Sequence, residues 1–201
     1  GDPFAVLGRH GSKATPVVRA FVPHAEFLEV IDGDGEVVAR LERRNDAGFF
    51  EGVVEPWAGG SDKPAYRLRA TNRAASWELH DPYAFGPVLG PLDDHLLLEG
   101  THRTLYERLG AQVMTHEGVE GVNFAVWAPS AARVSVVGDF NAWDGRRHQM
   151  RKRIDSGIWE IFAPGVGVGT AYKYEIVAAD GRLLPLKADP FGFAGEMRPS
   201  T

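Results

Sequence analysis

Hydrophobic and polar residues alternate with a period of two in several short segments of the chain. In residues 66–70 apolar side chains alternate with arginines, and in residues 172–176 they alternate with Lys173 and Glu175. Successive side chains of a β-strand point to opposite faces of the sheet, so this pattern predicts strands with one core-facing and one polar face. Asp-Gly-Asp-Gly at 32–35 and Ala-Asp-Gly at 179–181 predict hairpins between such strands.

The same order of strands and turns occurs twice along the chain. Residues 17–23 followed by 28–31 resemble residues 122–129 followed by 134–137. Further matching segments keep this order: 48–51 with 157–160, 66–69 with 172–175, and 81–83 with 189–191. Repeats of this kind indicate two copies of one structural unit. We therefore predict an all-β chain that forms two tandem immunoglobulin-like β-sandwiches.

A segment between the two copies lacks the alternation. The pattern breaks from Asp93 to Gln112, and residues 104–109 before Gly110 predict a helical turn. The predicted organisation is a first sandwich at 1–92, a short, partly helical linker at 93–112, and a second sandwich at 113–201.

Composition narrows the class of partner. The 201 residues are 44% hydrophobic and 24% charged, as in soluble globular proteins, and suffice for two modules of about 100 residues each. The net charge of -5 lacks the basic excess that nucleic acids or anionic membranes require, so a neutral ligand fits better. No apolar run approaches the roughly 20 residues of a membrane span. The absence of cysteine excludes disulfides and thiolate zinc sites and favours a reducing cytoplasm.

The most informative segment is the run 137–145, where a strand ends in a turn that holds an aromatic ring among polar groups. A pyranose has an apolar C–H face and a fringe of hydroxyls, so its site needs an exposed indole with donors and acceptors nearby. Trp143 supplies the indole, and Asn141, Asp144 and Lys173 supply the polar groups. The alternative is that Trp143 closes the end of the sandwich as a packing residue, because tryptophan is usually largely buried.

Other conspicuous residues have structural interpretations. Trp127 and Trp159 lie mid-strand beside aliphatic neighbours, which predicts that both belong to the core. The glycine-rich run 165–170 follows Pro164 and leads into an alternating strand, so we expect a hairpin rather than a phosphate-binding loop.

The chain contains no convincing reaction centre. Asp139 and Asp144 could be drawn as a glycosidase pair, but acidic side chains beside a turn are typically local hydrogen-bond acceptors. His95, His102 and His116 lack the close spacing of metal ligands. We therefore expect no catalytic residue, no metal site and no cofactor.

Several segments together resemble one known family. The segments are 99–111, 121–129, 138–146, 172–176 and 187–191. They resemble the N-terminal region of bacterial glycogen (1,4-alpha-glucan) branching enzymes, in which two such modules precede an amylase-type barrel. The resemblance implies that the complete protein transfers part of an α-1,4-glucan chain to a 6-hydroxyl during glycogen synthesis. It also implies a retaining mechanism whose carboxylates lie on the barrel beyond residue 201, so that this chain alone is not an enzyme.

The resemblance also implies a sugar site on the second module. That module resembles the starch- and glycogen-binding type, and Trp143 and Lys173 match two of three recurring sugar-binding groups. The third, a tryptophan after the Asp-Gly turn, falls at 182–184, where this chain has no aromatic residue. The first module has no counterpart of the turn, since residues 31–35 stand in its place, which favours a structural or chain-length-setting role over strong binding.

Three functional hypotheses follow. The first is a glucan-binding and scaffolding region whose partners are glycogen, amylose or maltooligosaccharides and the catalytic barrel. The second is a structural spacer that packs on the barrel and binds no carbohydrate. The third is a free-standing enzyme.

Overall fold

A computed structural model of the chain describes residues 1–60, 65–90, 109–153 and 156–192. The chain divides into two compact units, Asp2–Gly86 and Pro87–Thr201. In the described part, both units consist of antiparallel strands joined by loops and short 3-10 turns, which confirms the predicted all-β, sandwich-like fold. No helix among the described residues has the length and apolar character needed to cross a membrane.

The described residues of the first unit form seven strands in one continuous sheet. The sheet order is β1-β2-β5-β4-β3-β6-β7. β4 pairs with β3 along its first part and with β5 through Glu42 and Arg43, which joins the two halves of the sheet. The strands are β1 (Gly8–Gly11), β2 (Pro16–Phe21), β3 (Phe27–Ile31), β4 (Val37–Arg43), β5 (Phe49–Val53), β6 (Arg67–Thr71) and β7 (Ser76–Leu79), with 3-10 turns at Pro3–Ala5, Glu55–Trp57 and Pro82–Ala84.

The two halves of this sheet share a core, as a sandwich requires. Val18 and Phe50 from one half and Val30 and Leu68 from the other are buried in the same cluster. The alternation that predicted β6 is confirmed, because Leu68 and Ala70 are buried whereas Arg67 and Arg69 are only partly buried.

Ion pairs cross the polar face of this first sheet. Arg19 pairs with Glu51 across β2 and β5, and Arg40 pairs with Glu29 across β4 and β3. Glu78 on β7 also accepts hydrogen bonds from two arginines of β6. This face therefore carries charged side chains that are paired with one another, together with Phe27, which is 67% exposed.

Two sheets form in the part of the second unit that the structure describes. β11, β12, β9 and β8 form a four-stranded sheet, and β10 pairs with β13 in the other. Isolated bridges join Gln149 to Ser135 of β10, and Leu183 and Lys187 to β13, so both edges of the smaller sheet are extended. The strands are β8 (Gly110–His116), β9 (Val119–Trp127), β10 (Ala131–Gly138), β11 (Arg151–Lys152), β12 (Ile158–Pro164) and β13 (Tyr172–Ala178), with a 3-10 turn at Asp139–Asn141.

Both faces of the four-stranded sheet are buried over much of its area. On one face the ring of Phe124 packs against the ring of Tyr172 from the other sheet in a T-shaped arrangement, with 4.8 Å between ring centroids. On the opposite face Ala125 and Ile158 pack against Leu89 and Leu109. The segment that follows the first unit thus covers part of the second.

The predicted repeat is confirmed at the level of strand pairing. β2 pairs with β5 and β3 with β6 in the first unit, and the equivalent strands pair as β9 with β12 and β10 with β13 in the second. The same side-chain contact also recurs, since Tyr66 donates to Asp81 and Tyr172 donates to Asp189. The two copies therefore share topology as well as sequence.

Two expectations about connections need correction. Residues 165–170 join β12 to β13, and these strands lie in different sheets, so the segment is a crossover and not a hairpin. Alternation along each strand carries no information about which sheet the next strand joins. β8 begins at Gly110, inside the range 93–112 that the sequence assigned to the linker. Most of that range, including nearly all of the predicted helical turn, lies outside the described residues.

Candidate functional site

The turn that follows β10 is built by unusual backbone angles. After the 3-10 turn Asp139–Asn141, Ala142 and Trp143 both have left-handed conformations, with φ of 56° and 57°. These angles reverse the chain so that the Trp143 amide donates to the Gly138 carbonyl at 2.9 Å. L-residues adopt such angles at a cost, so this turn depends on other contacts to hold it.

Asn141 supplies the principal contacts. Its side chain is fully buried, and its Oδ1 accepts from the Gly138 amide at 3.0 Å. Its Nδ2 donates to the Val136 carbonyl at 2.9 Å and to His148 Nδ1 at 3.1 Å. A buried amide with these three bonds is not available to a ligand. This corrects the sequence-based assignment of Asn141 as a sugar contact and makes it the residue that positions the turn.

His148 completes this buried network in its neutral form. Burial, together with the nearby Arg147 guanidinium, lowers the pKa of His148 to about 3. The bond from Asn141 requires an unprotonated Nδ1. Because the folded-state pKa lies below the ordinary value, acidification below about pH 6.5 favours protonation of the unfolded chain and weakens this part of the fold.

Trp143 extends from the turn with its indole partly accessible. Its exposed fraction is 39%, and its Nε1 donates to Asp139 Oδ1 at 2.8 Å. A plug at the end of the sandwich would be buried, whereas this ring keeps an accessible surface and has its polar atom satisfied within the turn. The ring is therefore oriented and able to contact an apolar ligand face.

Asp144 is the polar residue next to the indole. Its carboxylate accepts from Arg146 through both oxygens, at 2.9 Å and 2.7 Å, and from the Arg146 amide at 2.9 Å. These hydrogen bonds from Arg146 lower the pKa of Asp144. Asp139 and Asp144 thus both act as local acceptors, as the sequence indicated for this pair.

The far end of the turn packs directly on the smaller sheet. Ser135 of β10 donates to the Gly145 carbonyl at 2.7 Å. A side chain at Gly145 would occupy the position of the Glu175 carboxylate on β13, which is itself paired with Arg133. Glycine at this position lets the turn lie flat against the strand that carries Lys173.

Lys173 lies on β13, opposite the end of β10 at which this turn begins. It pairs with Val137, the residue before Gly138, and its side chain is exposed. The turn and the strand pairing therefore bring Trp143 and Lys173 to the same end of the β10–β13 pair. Leu183, in the segment where the resemblance calls for an aromatic residue, is 61% exposed and bridges Val177 of the same strand.

Trp127 has an accessible indole that the sequence analysis did not predict. The expectation of a core position is correct for Trp159, which is 4% exposed, but wrong for Trp127, which is 63% exposed. Trp127 is the last residue of β9. On its face of the sheet, Leu89 and Leu109 cover Ala125 and Ile158, and this buried cluster does not include Trp127. The sequence predicted a mid-strand position for Trp127, whereas the structure ends β9 at this residue.

The histidines do not form a metal centre in the described part of the chain. Among the described residues, no group of three or more potential ligands lies close enough to hold a metal ion. His116 packs its ring against Phe162, with 5.2 Å between centroids, whereas His95 and His102 lie outside the described residues.

Comparisons with protein families assign each unit. Residues 1–83 match the family described as alpha-1,4-glucan branching enzyme GlgB, N-terminal domain. Residues 108–192 match carbohydrate-binding module 48, also described as the isoamylase N-terminal domain. The chain corresponds to the N-terminal region of GlgB proteins. Within this GlgB region, the turn with Trp143 and the strand with Lys173 both lie in the carbohydrate-binding module.

Curated relatives agree with this assignment over the whole chain. It is 55% identical over 201 residues to the 1,4-alpha-glucan branching enzyme GlgB of Mesorhizobium japonicum and 56% identical over 200 residues to that of Rhizobium meliloti. These alignments cover 100% of this chain and 27% of each relative. The chain thus spans about a quarter of the length of these GlgB proteins. A solved pullulanase from Klebsiella pneumoniae aligns with a TM-score of 0.31 at 18% identity, over 90% of this chain and 22% of that one, which is too weak a likeness to bear on function.

Proposed function

We propose that the second unit binds α-glucan chains, with the Trp143 indole as the stacking platform and Lys173 and Asp144 as hydrogen-bonding partners. The observation that carries the proposal is the accessible indole of Trp143, fixed by Asp139 at 2.8 Å beside the strand that holds Lys173. An apolar face with a few oriented polar groups is the usual composition of a small-ligand site. The match of residues 108–192 to a carbohydrate-binding module supports the ligand class.

The complete protein is, in this proposal, a 1,4-alpha-glucan branching enzyme that forms α-1,6 branches in glycogen. The relatives that carry this name support it. The catalytic carboxylates would lie in the remaining part of such a protein, and the present region would hold the glucan near them. A cytoplasmic location, supported by the lack of cysteine, belongs to the same proposal.

A structural spacer is the second candidate, and two observations favour it. On the polar face of the first unit, charges such as Arg19 and Glu51 pair with one another, and the exposed aromatic residue there is Phe27 rather than a tryptophan. In the second unit, Leu183 stands near the place where the resemblance calls for a tryptophan. These observations favour a structural role for the first unit and modest affinity in the second.

Native electrophoresis in gels with and without glycogen tests the proposal on the 201-residue chain. We expect glycogen to retard the parent chain, and the variants Trp143→Ala and Lys173→Ala to lose most of this retardation. Val168→Ala is a matched control, because Val168 is 87% exposed in the loop before β13 and lies outside the proposed site. Circular dichroism would verify the fold of each variant.

Two outcomes would contradict the proposal. A parent chain that migrates unchanged in glycogen would favour the spacer. If glycogen retards Trp143→Ala as strongly as the parent chain, the binding surface does not include Trp143. An iodine-stain assay on amylose separately tests the free-standing enzyme, and we expect no branching by this chain alone.

A further inference from the structure

Three charged side chains lie in a row on one face of the smaller sheet. On β13, Lys173 and Glu175 are two residues apart, so both belong to the same face. Arg133 of β10 is opposite Val177, two residues beyond Glu175, and its guanidinium donates to Glu175 Oε1. One carboxylate therefore lies between two cations, and in the described part of the chain its ion pair is with the arginine.

Lys173 is within reach of the same carboxylate. Two residues of a strand span about 7 Å, a distance that the flexible four-carbon stem of lysine can bridge. Lys173 is nevertheless exposed, and its ammonium makes no hydrogen bond or ion pair with another described residue. The ammonium is available to a ligand because Glu175 is engaged by Arg133.

The pair of Arg133 and Glu175 is poorly suited to a role in stability alone. Both side chains are partly buried, and Arg133 Nε is a buried donor with no acceptor among the described residues. A buried N–H without an acceptor costs free energy, which offsets part of what the ion pair contributes. The clearest effect of the pair is that it fixes the position of the carboxylate.

The carboxylate is also held against the turn that presents the indole. A Cβ at Gly145 would overlap the Glu175 carboxylate, so the turn lies on the same face as the three charged residues. Ser135, opposite Glu175 on β10, donates to the Gly145 carbonyl at 2.7 Å. Because Arg133 and Lys173 lie on opposite sides of Glu175 along the strands, the bond to Arg133 draws the carboxylate away from the lysine.

We propose that Arg133 is a positioning residue of the sugar site: by holding the Glu175 carboxylate, it keeps the Lys173 ammonium free to donate to a glucan hydroxyl. This inference rests on the proposed function, in which Lys173 is such a donor. Without Arg133, the partly buried carboxylate takes Lys173 as its partner, because an uncompensated buried charge is costly. An ammonium bound to a carboxylate has fewer N–H groups left for a sugar, so glucan affinity falls.

Titration of the 201-residue chain with maltoheptaose tests this role. We expect Arg133→Gln to weaken binding by roughly tenfold, the size of one hydrogen bond from a charged donor. Adding Glu175→Gln removes the competing charge, so the double variant should recover to within about threefold of the parent. A residue that only supports the fold would show no such rescue. Arg40→Gln, which removes the cation of a cross-strand pair in the first unit, is the matched control.

The nitrogen NMR signal of the Lys173 ammonium reports the same change without sugar. It should move in Arg133→Gln and return in the double variant, because only the single variant leaves the Glu175 carboxylate without its arginine. A double variant that binds as weakly as Arg133→Gln, or an Arg133→Gln chain that binds like the parent, would overturn the proposal.

Failure of the proposed function has a different signature. The parent chain would then not bind maltoheptaose, or Lys173→Ala would bind it as well as the parent. The ammonium signal would still decide whether Arg133 holds Glu175 away from Lys173, and an unchanged signal in Arg133→Gln would overturn that role as well.

Discussion

At the scale of single residues, one aspartate recurs in both units, buried in the first as Asp81 and half-buried in the second as Asp189. Asp81 accepts from the Tyr66 hydroxyl at 2.6 Å and from the Tyr83 amide at 3.0 Å. Asp189 accepts from the Tyr172 hydroxyl at 2.5 Å and from the Phe191 amide at 2.9 Å. In each copy, the aspartate of the Asp-Pro-aromatic motif thus accepts a hydrogen bond from the tyrosine just before β6 or at the start of β13. This bond holds the segment that contains the motif against that strand.

Asp81 should make the stability of the first unit depend on pH. Burial raises the pKa of Asp81 from 3.8 to about 6, against the hydrogen bonds that lower it. Between about pH 4 and pH 6 the unfolded chain has released this proton and the folded chain has not, so the free energy of unfolding falls as the pH rises. The difference reaches about 3 kcal/mol at most.

The variant Asp81→Asn isolates this effect. It removes the charge but keeps an acceptor for one of the two bonds, so its stability relative to the parent should rise between pH 4 and pH 7. Urea unfolding at several pH values measures the difference. Parallel pH profiles for the parent and Asp81→Asn would show that Asp81 is not the source of the pH dependence.

Leu183 offers a gain-of-function test of the proposed site. It is 61% exposed beside the strand that holds Lys173, so a larger aromatic ring can be placed there without repacking the core. We expect Leu183→Trp to tighten maltooligosaccharide binding by roughly tenfold, equivalent to about 1.4 kcal/mol. Titration calorimetry would measure it, and Val168→Trp in the exposed loop is the control. Equal affinities in the two variants would place Leu183 outside the sugar site.

At the scale of structural elements, the turn 139–149 determines whether Trp143 is presented. It combines a 3-10 turn, two left-handed residues and a buried asparagine, and it returns the chain to β10 through the bridge between Gln149 and Ser135. Gly145 seats this turn on β13 because the Glu175 carboxylate fills the space where a side chain would lie.

Gly145→Ala should therefore disturb the turn selectively. The added methyl group must displace the Glu175 carboxylate or lift the turn, at a cost of about 1–3 kcal/mol. Gly167→Ala is the control, because a side chain at Gly167 meets open space. Chemical denaturation and glycogen retardation measure both effects. Unchanged stability and binding in Gly145→Ala would mean that the carboxylate moves aside freely.

At the scale of the whole molecule, the two units differ in the surfaces they present. The first has paired charges on its polar sheet face, whereas the second contains both exposed tryptophans, Trp127 and Trp143. The segment after the first unit belongs structurally to the second. The amides of Val88 and Leu89 donate to Glu160 Oε2 at 3.2 Å and 3.0 Å, and Arg153 pairs with Glu160 Oε1 at 2.8 Å.

Glu160 should be a main determinant of how this segment is held. Glu160→Ala leaves a partly buried guanidinium and two amides without their carboxylate, which costs up to about 3 kcal/mol. Hydrogen exchange of the Val88 and Leu89 amides should accelerate in the same variant. Glu120→Ala, on the exposed side of β9, is the control. A Glu160→Ala protein as stable as this control would show that other contacts hold the segment.

Much of this architecture follows from the sequence alone. Period-two alternation predicts strands such as β6 because burial on one side of a sheet selects apolar residues at every second position. The matching order of segments predicts the duplication, since equivalent segments form equivalent strand pairs. The Asp-Gly turns likewise predict the hairpins at 32–35 and 179–181, because such turns need residues that tolerate left-handed angles.

Tertiary structure decides what local patterns do not encode. Trp127 and Trp159 lie in similar sequence surroundings, yet only Trp159 is covered, because burial depends on which distant segments reach each strand end. Asn141 has the right chemistry for a sugar contact, but the turn folds it inward, where its hydrogen bonds hold the backbone. The sequence determined the strands and their duplication, and long-range packing determined which polar and aromatic groups remain accessible to a ligand.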